Sequence, residues 1–247
     1  FKKLILLNMY GICHLSIIPL RKDLTSKSEL VSQLIYGELF KVLESNEKWF
    51  FIECIDDKYK GWINHSQFKE ISDHDLKKVL KIKAKYLNNL TAEIETENGT
   101  MSIIIGSKIS SCFILNHKLK TRTNSKNSII ENSFKFLNSP YLWGGRTPYG
   151  IDCSGFTQQV YKLNGFQLSR DANQQVIQGK EIILEDAKPG DLAFFGEDGI
   201  SHVGIIMHSN KIIHAFGSVR IDDLNQNGII NSISNKLTHK LKKTVTY

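Results

Sequence analysis

The chain has 247 residues, 41% of them hydrophobic, with 32 Lys and Arg against 25 Asp and Glu for a net charge of +7. That length suits one large core or two to three small ones. No stretch approaches the apolar length of a membrane span, and the Lys and Arg form no stripe interleaved with aromatics, so neither a membrane protein nor a nucleic-acid binder is indicated. The charge reads as solubility plus mild attraction to acidic ligands. Cys13, Cys54, Cys112 and Cys153 are scattered, with no C-x-x-C pair and no H-E-x-x-H helix. No metal site follows from that spacing. Scattered thiols agree with a cytoplasmic setting, with a periplasmic disulfide as the alternative.

Residues 1–8, Phe-Lys-Lys-Leu-Ile-Leu-Leu-Asn, hold too short an apolar run for a signal-peptide core and read as an upstream extension before a natural start at Met9. Short apolar runs then alternate with charged turns: Ser16 to Arg21, Leu30 to Tyr36, Phe40 to Glu44, Trp49 to Ile55 and Gly61 to Ile63. This is the signature of a small β-barrel. The order, with Tyr36-Gly37-Glu38 followed by Lys58-Tyr59-Lys60-Gly61-Trp62, resembles a bacterial SH3-type domain over residues 1–72. After a polar stretch from Ser72 to Lys78, the runs Val79 to Ala84, Ser102 to Gly106 and Cys112 to Leu115 suggest a second, diverged barrel over 73–120. The basic, polar segment from Lys118 to Ser128 reads as a surface linker to a third domain, 121–247.

The third domain carries the chemistry. Residues 141–157 form a glycine-rich loop that delivers Cys153 to the start of a helix, because Phe156, Val160 and Leu163 fall at helical spacing with Gln158, Gln159 and Lys162 between them. A helix N-terminus favours the thiolate, the attacking form of cysteine, and the flanking Asp152 and Ser154 argue against an inert thiol buried in apolar packing. No phosphate-binding glycine pattern accompanies Gly144, Gly145 and Gly150, which leave room for substrate to approach the backbone, and no cofactor is implied. Pro189-Gly190-Asp191-Leu192 is a turn into the strand Leu192 to Phe195. His202 opens one β-branched run and His214 closes the next, with His208-Ser209-Asn210 between them suited to a three-residue hairpin loop and Asn210 left-handed. In that register residue 204 faces residue 214, which puts both histidines on one face as diagonal neighbours. A nucleophilic cysteine needs a base and a group that holds the base, and this pair could supply both.

Six motifs in order over the last half of the chain, Tyr141-Leu-Trp-Gly-Gly145, Asp152-Cys-Ser-Gly-Phe156, Arg170-Asp171, Pro189-Gly-Asp-Leu192, His202-Val-Gly-Ile205 and Ile213-His-Ala215, closely resemble the NlpC family of cell-wall cysteine peptidases. The resemblance implies an α+β chain, a papain-like catalytic domain preceded by two small all-β SH3-like barrels. It implies that Cys153 attacks, His202 is the general base and His214 orients it. It implies hydrolysis of the γ-D-glutamyl-L-diamino acid bond of peptidoglycan stem peptides in wall recycling, with Tyr141 at the cleft edge, Asp152 and Ser154 holding a free L-Ala amine, and Asp171 also in the substrate site. In relatives with two such barrels the first caps the cleft, which would assign Glu38 to the ammonium and Tyr59 to the alanine methyl. One departure is Ala172, where family members that trim free muropeptides have Ser. The competing expectations are a wall-binding module with a vestigial peptidase, and a hydrolase acting on glycan-linked stem peptides.

Overall fold

A computed structural model describes residues 9–123 and 127–247. Residues 1–8, and 124–126 of the expected linker, lie outside the described residues. The chain divides into two compact units, 1–125 and 126–247.

The first unit opens with β1 (Met9–Ile12), β2 (Ile17–Arg21), β3 (Leu30–Ile35), β4 (Leu39–Ser45), β5 (Trp49–Cys54), β6 (Lys60–Asn64) and β7 (Glu70–Ile71), in the sheet order β3-β2-β6-β5-β4-β1-β7. Along β5 the side chains alternate strictly, so that Phe50, Ile52 and Cys54 point inward. They meet Ile18, Leu20, Leu34, Phe40, Val42 and Ile63 in one buried cluster. This is the single SH3-like barrel among the described residues.

The second barrel expected over 73–120 is not there. Val79 to Ala84 is not a strand: Ser72 caps a helix, α1 (Asp73–Lys81), its hydroxyl accepting the Asp75 N–H, with Asp73 and Asp75 in the first turn where the helix dipole favours them. Leu76 and Val79, three apart, are buried and pack with Ile12, Leu39 and Ile71 of the barrel. Cys112 to Leu115 ends a 3-10 helix (Ile109–Leu115). Only β8 (Thr91–Thr96), β9 (Gly99–Ile104) and the two-residue β10 (Lys118–Leu119) remain, too few strands to close. They borrow their core from the barrel, where Tyr36 packs with Leu87, Ala92, Ile94 and Ile103. The boundary at 72/73 therefore falls inside one unit, and the supposed linker begins as an edge strand with Leu119 paired to Ile94.

The second unit contains α2 (Ile129–Phe134), opened by a Ser128/Glu131 capping box, the hairpin β11 (Arg146–Thr147) and β12 (Gly150–Ile151), α3 (Cys153–Leu163) and α4 (Ala172–Gln175). The strands β13 (Lys180–Ile182), β14 (Leu192–Phe195), β15 (His202–Ile206), β16 (Lys211–Phe216), β17 (Ser218–Asn225), β18 (Gly228–Ile230) and β19 (Leu237–Thr246) follow. Their order is β13-β19-β14-β15-β16-β17-β18, and an added β18–β19 pairing closes the sheet. Ala193, Phe195, Ile206, Ile212, Leu224, Ile229 and Leu241 form its inner cluster. The helix α3 packs against β15 and β16. Its polar residues Gln158, Gln159 and Lys162 are each at most 3% exposed. Gln158 Nε2 donates to the Leu168 carbonyl at 3.1 Å, which is how such a side chain can be buried.

Candidate active site

Ordinary helix-start chemistry places Cys153. Asp152, in extended backbone, is the N-cap of α3, and its Oδ1 accepts the Gly155 N–H at 2.7 Å. The glycine loop folds tightly onto this corner: a Cβ on Gly145 would strike the Gly150 carbonyl, and one on Gly155 the Gly145 carbonyl. Gly145 and Gly155 are thus required by backbone packing within the protein.

Asp152 itself is fully engaged. Its Oδ2 accepts the Gly144 N–H at 2.8 Å, and Arg170 forks onto both oxygens, Nη1 to Oδ1 at 3.0 Å and Nη2 to Oδ2 at 2.6 Å. The same Nη1 donates to Ser154 Oγ at 3.0 Å. Arg170 is 1% exposed, so this bidentate pair is sealed from water, the setting in which guanidinium geometry counts most. Gln175 locks the surrounding loops, its Nε2 donating to the carbonyls of Ser154 and Ser169 at 2.9 Å and its Oε1 accepting from Thr157 Oγ1 at 2.7 Å. Asp171, by contrast, stands at the N-cap of α4, where its backbone N–H donates to Gln174 Oε1 at 3.4 Å.

The thiol is buried, but beside the Asp152 carboxylate, the Arg170 guanidinium and backbone N–H groups, so not in purely apolar packing. Burial, and then the charge of Asp152, push the Cys153 thiol up to about 12, while the Val203 N–H facing the sulfur and the Arg170 charge work in the other direction. Tyr141 is more open, but burial and the nearby Cys153 and Asp152 likewise push its phenol up to about 12, which keeps it a hydrogen-bond donor.

Val203 follows His202 in the chain, so the sulfur lies beside the start of β15. Gly204 pairs with His214, and Met207 N donates to the Lys211 carbonyl at 2.8 Å, leaving His208, Ser209 and Asn210 as the loop; Ser209 joins Asn210 at positive φ. The histidines are diagonal neighbours on the inner face of the closed sheet, His202 Nε2 lying 2.8 Å from His214 Nδ1. Gly204 makes this possible, because a Cβ there would come within 2.9 Å of the His214 Cβ and 2.8 Å of Ile212. Burial, followed by His214 and His239, lowers the His202 pKa well below the usual histidine value. Burial thus disfavours the charged forms of both the thiol and the imidazole, against the thiolate that the helix start had suggested.

Two residues of this face escaped the sequence reading. Asp222 Oδ2 lies 3.1 Å from His214 Nε2, the two side chains 1% and 0% exposed. Strand alternation held the signal, since β17 pairs His214 with Arg220 and Ile212 with Asp222, which puts both new side chains on the histidine face. His239 of β19 stacks on His202 with ring centroids 4.1 Å apart and planes 25° apart. Nothing in its lysine-rich run announced it.

Glu38 and Tyr59 belong to the first unit. Glu38 is 5% exposed and its Oε2 accepts the Ile35 N–H at 2.8 Å. Tyr59 packs half-buried against the barrel core. Among the described residues no group of His, Cys, Asp and Glu is arranged to hold a metal ion, and no helix is long and apolar enough to cross a membrane.

The NlpC/P60 family model matches residues 138–238, and the model of the bacterial dipeptidyl-peptidase Sh3 domain matches 20–68. The γ-D-glutamyl-L-lysine dipeptidyl-peptidase of Bacillus subtilis (strain 168) is 30% identical over 79% of this chain and 75% of its own length. The protein of the same name from Bacillus cereus (strain ATCC 10987 / NRS 248) is 36% identical over 44% of this chain, which spans 34% of that relative. Among solved structures, an NlpC/P60 family protein from Bacillus cereus ATCC 10987 superposes with a TM-score of 0.79 over 96% of this chain and 99% of its own, at 18% identity, a likeness of fold.

Proposed function

The chain belongs to the NlpC/P60 family of cysteine peptidases, and from that premise we propose that it hydrolyses the γ-D-glutamyl-L-diamino acid bond of soluble peptidoglycan stem peptides whose L-Ala amine is free. The observation that carries this reading is the buried His202–His214 pair at 2.8 Å, with His202 on the strand whose Val203 N–H meets the Cys153 sulfur.

The mechanism follows from the resting charges. As Cys153 Sγ attacks the scissile carbonyl carbon, neutral His202 takes the thiol proton, so a sulfur too buried to ionise alone becomes nucleophilic only during attack. His214 holds the resulting imidazolium in place. The Cys153 backbone N–H, at the first turn of α3, serves the developing oxyanion. Collapse expels the amine of the diamino acid with a proton from His202 and leaves a γ-glutamyl thioester, which a water activated by His202 then hydrolyses. Tyr141, a neutral phenol beside the sulfur, supplies a hydrogen bond at the cleft edge. The Asp152 carboxylate already receives Arg170 and two backbone amides, so its larger contribution is to hold loop and helix start together, and a substrate ammonium would add to a satisfied group. In this reading the enzyme acts in the cytoplasm on released fragments, where its four free thiols would stay reduced.

Mass spectrometry of L-Ala-γ-D-Glu-meso-diaminopimelate and its N-acetylated counterpart, incubated with the enzyme and with Cys153→Ala, tests the proposal. Cleavage of the free-amine peptide alone, by the unmutated protein alone, is expected. Cleavage of both peptides would reject the free-amine requirement and indicate a hydrolase of glycan-linked stems, and cleavage of neither would reject the substrate.

A further inference from the structure

We propose that Asp222 is a positioning residue that sets, through His214, which nitrogen of His202 is the catalytic base; the proposal rests on the cysteine-peptidase reading above. Heavy-atom distances leave ring protons unassigned, but the charges around Asp222 assign them. An ionised carboxylate can only accept hydrogen bonds, so His214 must carry its proton on Nε2, the atom 3.1 Å from Asp222 Oδ2. With that single proton on the ring, His214 keeps a lone pair on Nδ1. His202 Nε2, 2.8 Å away, must donate to it. The lone pair of His202 is thereby confined to Nδ1, free to receive the thiol proton. Two tautomers are fixed in series by one carboxylate, and the imidazolium that forms during attack keeps the same hydrogen bonds.

The surroundings of Asp222 keep it ionised. Burial alone would raise its pKa, but hydrogen bonds from His214, Ser232 and Arg220 hold the carboxyl below the usual carboxylate range. Its Oδ1 accepts from Ser232 N at 2.9 Å, Ser232 Oγ at 2.8 Å and Arg220 Nη2 at 2.9 Å. Arg220 Nε sits 2.8 Å from Oδ2 as a charge contact without hydrogen-bond alignment. The carboxylate therefore remains a fixed anion while the proton stays on the rings. The groups that face the His214 ring are His202 from β15, Phe216 from its own strand, Asp222 from β17 and His239 from β19.

The same donor pattern predicts what an isosteric amide would do. In Asp222→Asn the carbonyl oxygen belongs at the Oδ1 position, where three donors converge, so the NH₂ group points at His214 Nε2. His214 must then move its proton to Nδ1, and His202 its own to Nδ1, which removes the base from the side that serves the sulfur. In a Ser-His-Asp triad the corresponding wrong-tautomer change costs about 10⁴ in turnover. With one more ring between carboxylate and base, a loss of about 10²–10⁴ in kcat at little change in KM is expected here.

The test is ¹⁵N-edited NMR of the histidine ring nitrogens in the full-length protein, alongside turnover of the free-amine peptide. Protons on Nε2 of both His214 and His202 are expected in the unmutated protein, and on Nδ1 of both in Asp222→Asn. A Nδ1 proton on His214 in the unmutated protein would overturn the proposal whether or not the variant folds. So would an Asp222→Asn enzyme with unchanged tautomers and turnover within a few-fold of normal. Failure of the substrate reading is distinguishable: an unmutated enzyme without turnover but with the expected ring protons would strike the substrate and leave the relay standing.

Discussion

The SH3-like barrel fills its interior with Ile18, Leu20, Leu34, Phe40, Val42, Phe50, Ile52 and Ile63, whereas the closed sheet of the second unit divides its inner face between an apolar cluster around Phe195, Ile212 and Leu224 and a polar end of His202, His214, Asp222 and His239. Both interiors exclude water, yet they are held by different physics. The apolar interior is non-directional, so each residue contributes chiefly by area and volume. In the polar interior every group depends on one partner's lone pair or proton, so removing a single atom changes what its neighbours can do. The first arrangement supplies stability and the second converts stability into chemistry.

The largest effect expected is at the buried ion pair that supports the second arrangement. Arg170→Met leaves the Asp152 carboxylate buried without its guanidinium, which should cost about 3–5 kcal/mol in chemical denaturation of the second unit, together with most turnover, since loop and helix start lose their shared anchor. Adding Asp152→Asn should restore part of the stability by removing the orphaned charge. If the double variant is as unstable as the single one, the damage comes from lost packing of the Arg170 stem, and the electrostatic account fails.

A matching substitution in the apolar interior should act differently. Phe40 is fully buried, and Phe40→Ala should cost about 3–5 kcal/mol through lost burial and a cavity, with no partner able to compensate as Asn does at 152. Iodoacetamide labelling of Cys153 should keep its normal rate under conditions where the first unit remains folded. A slowed labelling rate would show that the two interiors are not separable in the way the comparison supposes.

The same contrast explains how much was legible in the sequence. The barrel strands were readable because burial on one face imposes a period of two, and Trp49 to Cys54 carries it openly. The histidine register was readable because hairpin pairing is local: once His208-Ser209-Asn210 is the loop, residue 204 must face 214. Residues 73–120 misled because Val79 and Ile82 favour strands by composition, while the deciding signal, Ser72 capping Asp75, is a single hydrogen bond. The spacing of Gln158, Gln159 and Lys162 showed the helix but not their burial, which depends on partners outside it. The substrate role of Asp152 rests on the family resemblance, and its ion pair with Arg170, eighteen residues away, was legible in no local pattern. His239 was missed for the same reason, since its strand β19 joins the sheet from the far end of the chain, whereas Asp222, on the hairpin strand next to His214, was open to the same alternation argument.

The smallest effect is expected from His239, and it separates a stacking role from an electrostatic one. Burial, and then the neighbouring His214 ring, lower the His239 pKa from 6.5 to about 4. The sign follows directly: below pH 6.5 the unfolded chain takes up a proton that the folded chain refuses until about pH 4, so the unfolded state binds more protons and stability falls as pH drops through that window. Above pH 6.5 the group contributes no slope. His202, also lowered by burial, acts in the same direction. His239→Phe retains an aromatic ring against His202 while removing one titrating group, so the dependence of unfolding free energy on pH between 6.5 and 4 should flatten by up to about 1.4 kcal/mol per pH unit, the limit for one proton. An unchanged slope in urea denaturation across that range would mean that His239 is solvated well enough to titrate normally. Its place over His202 would then be packing alone, and the polar end of the barrel would owe its pH sensitivity to His202 and its partners.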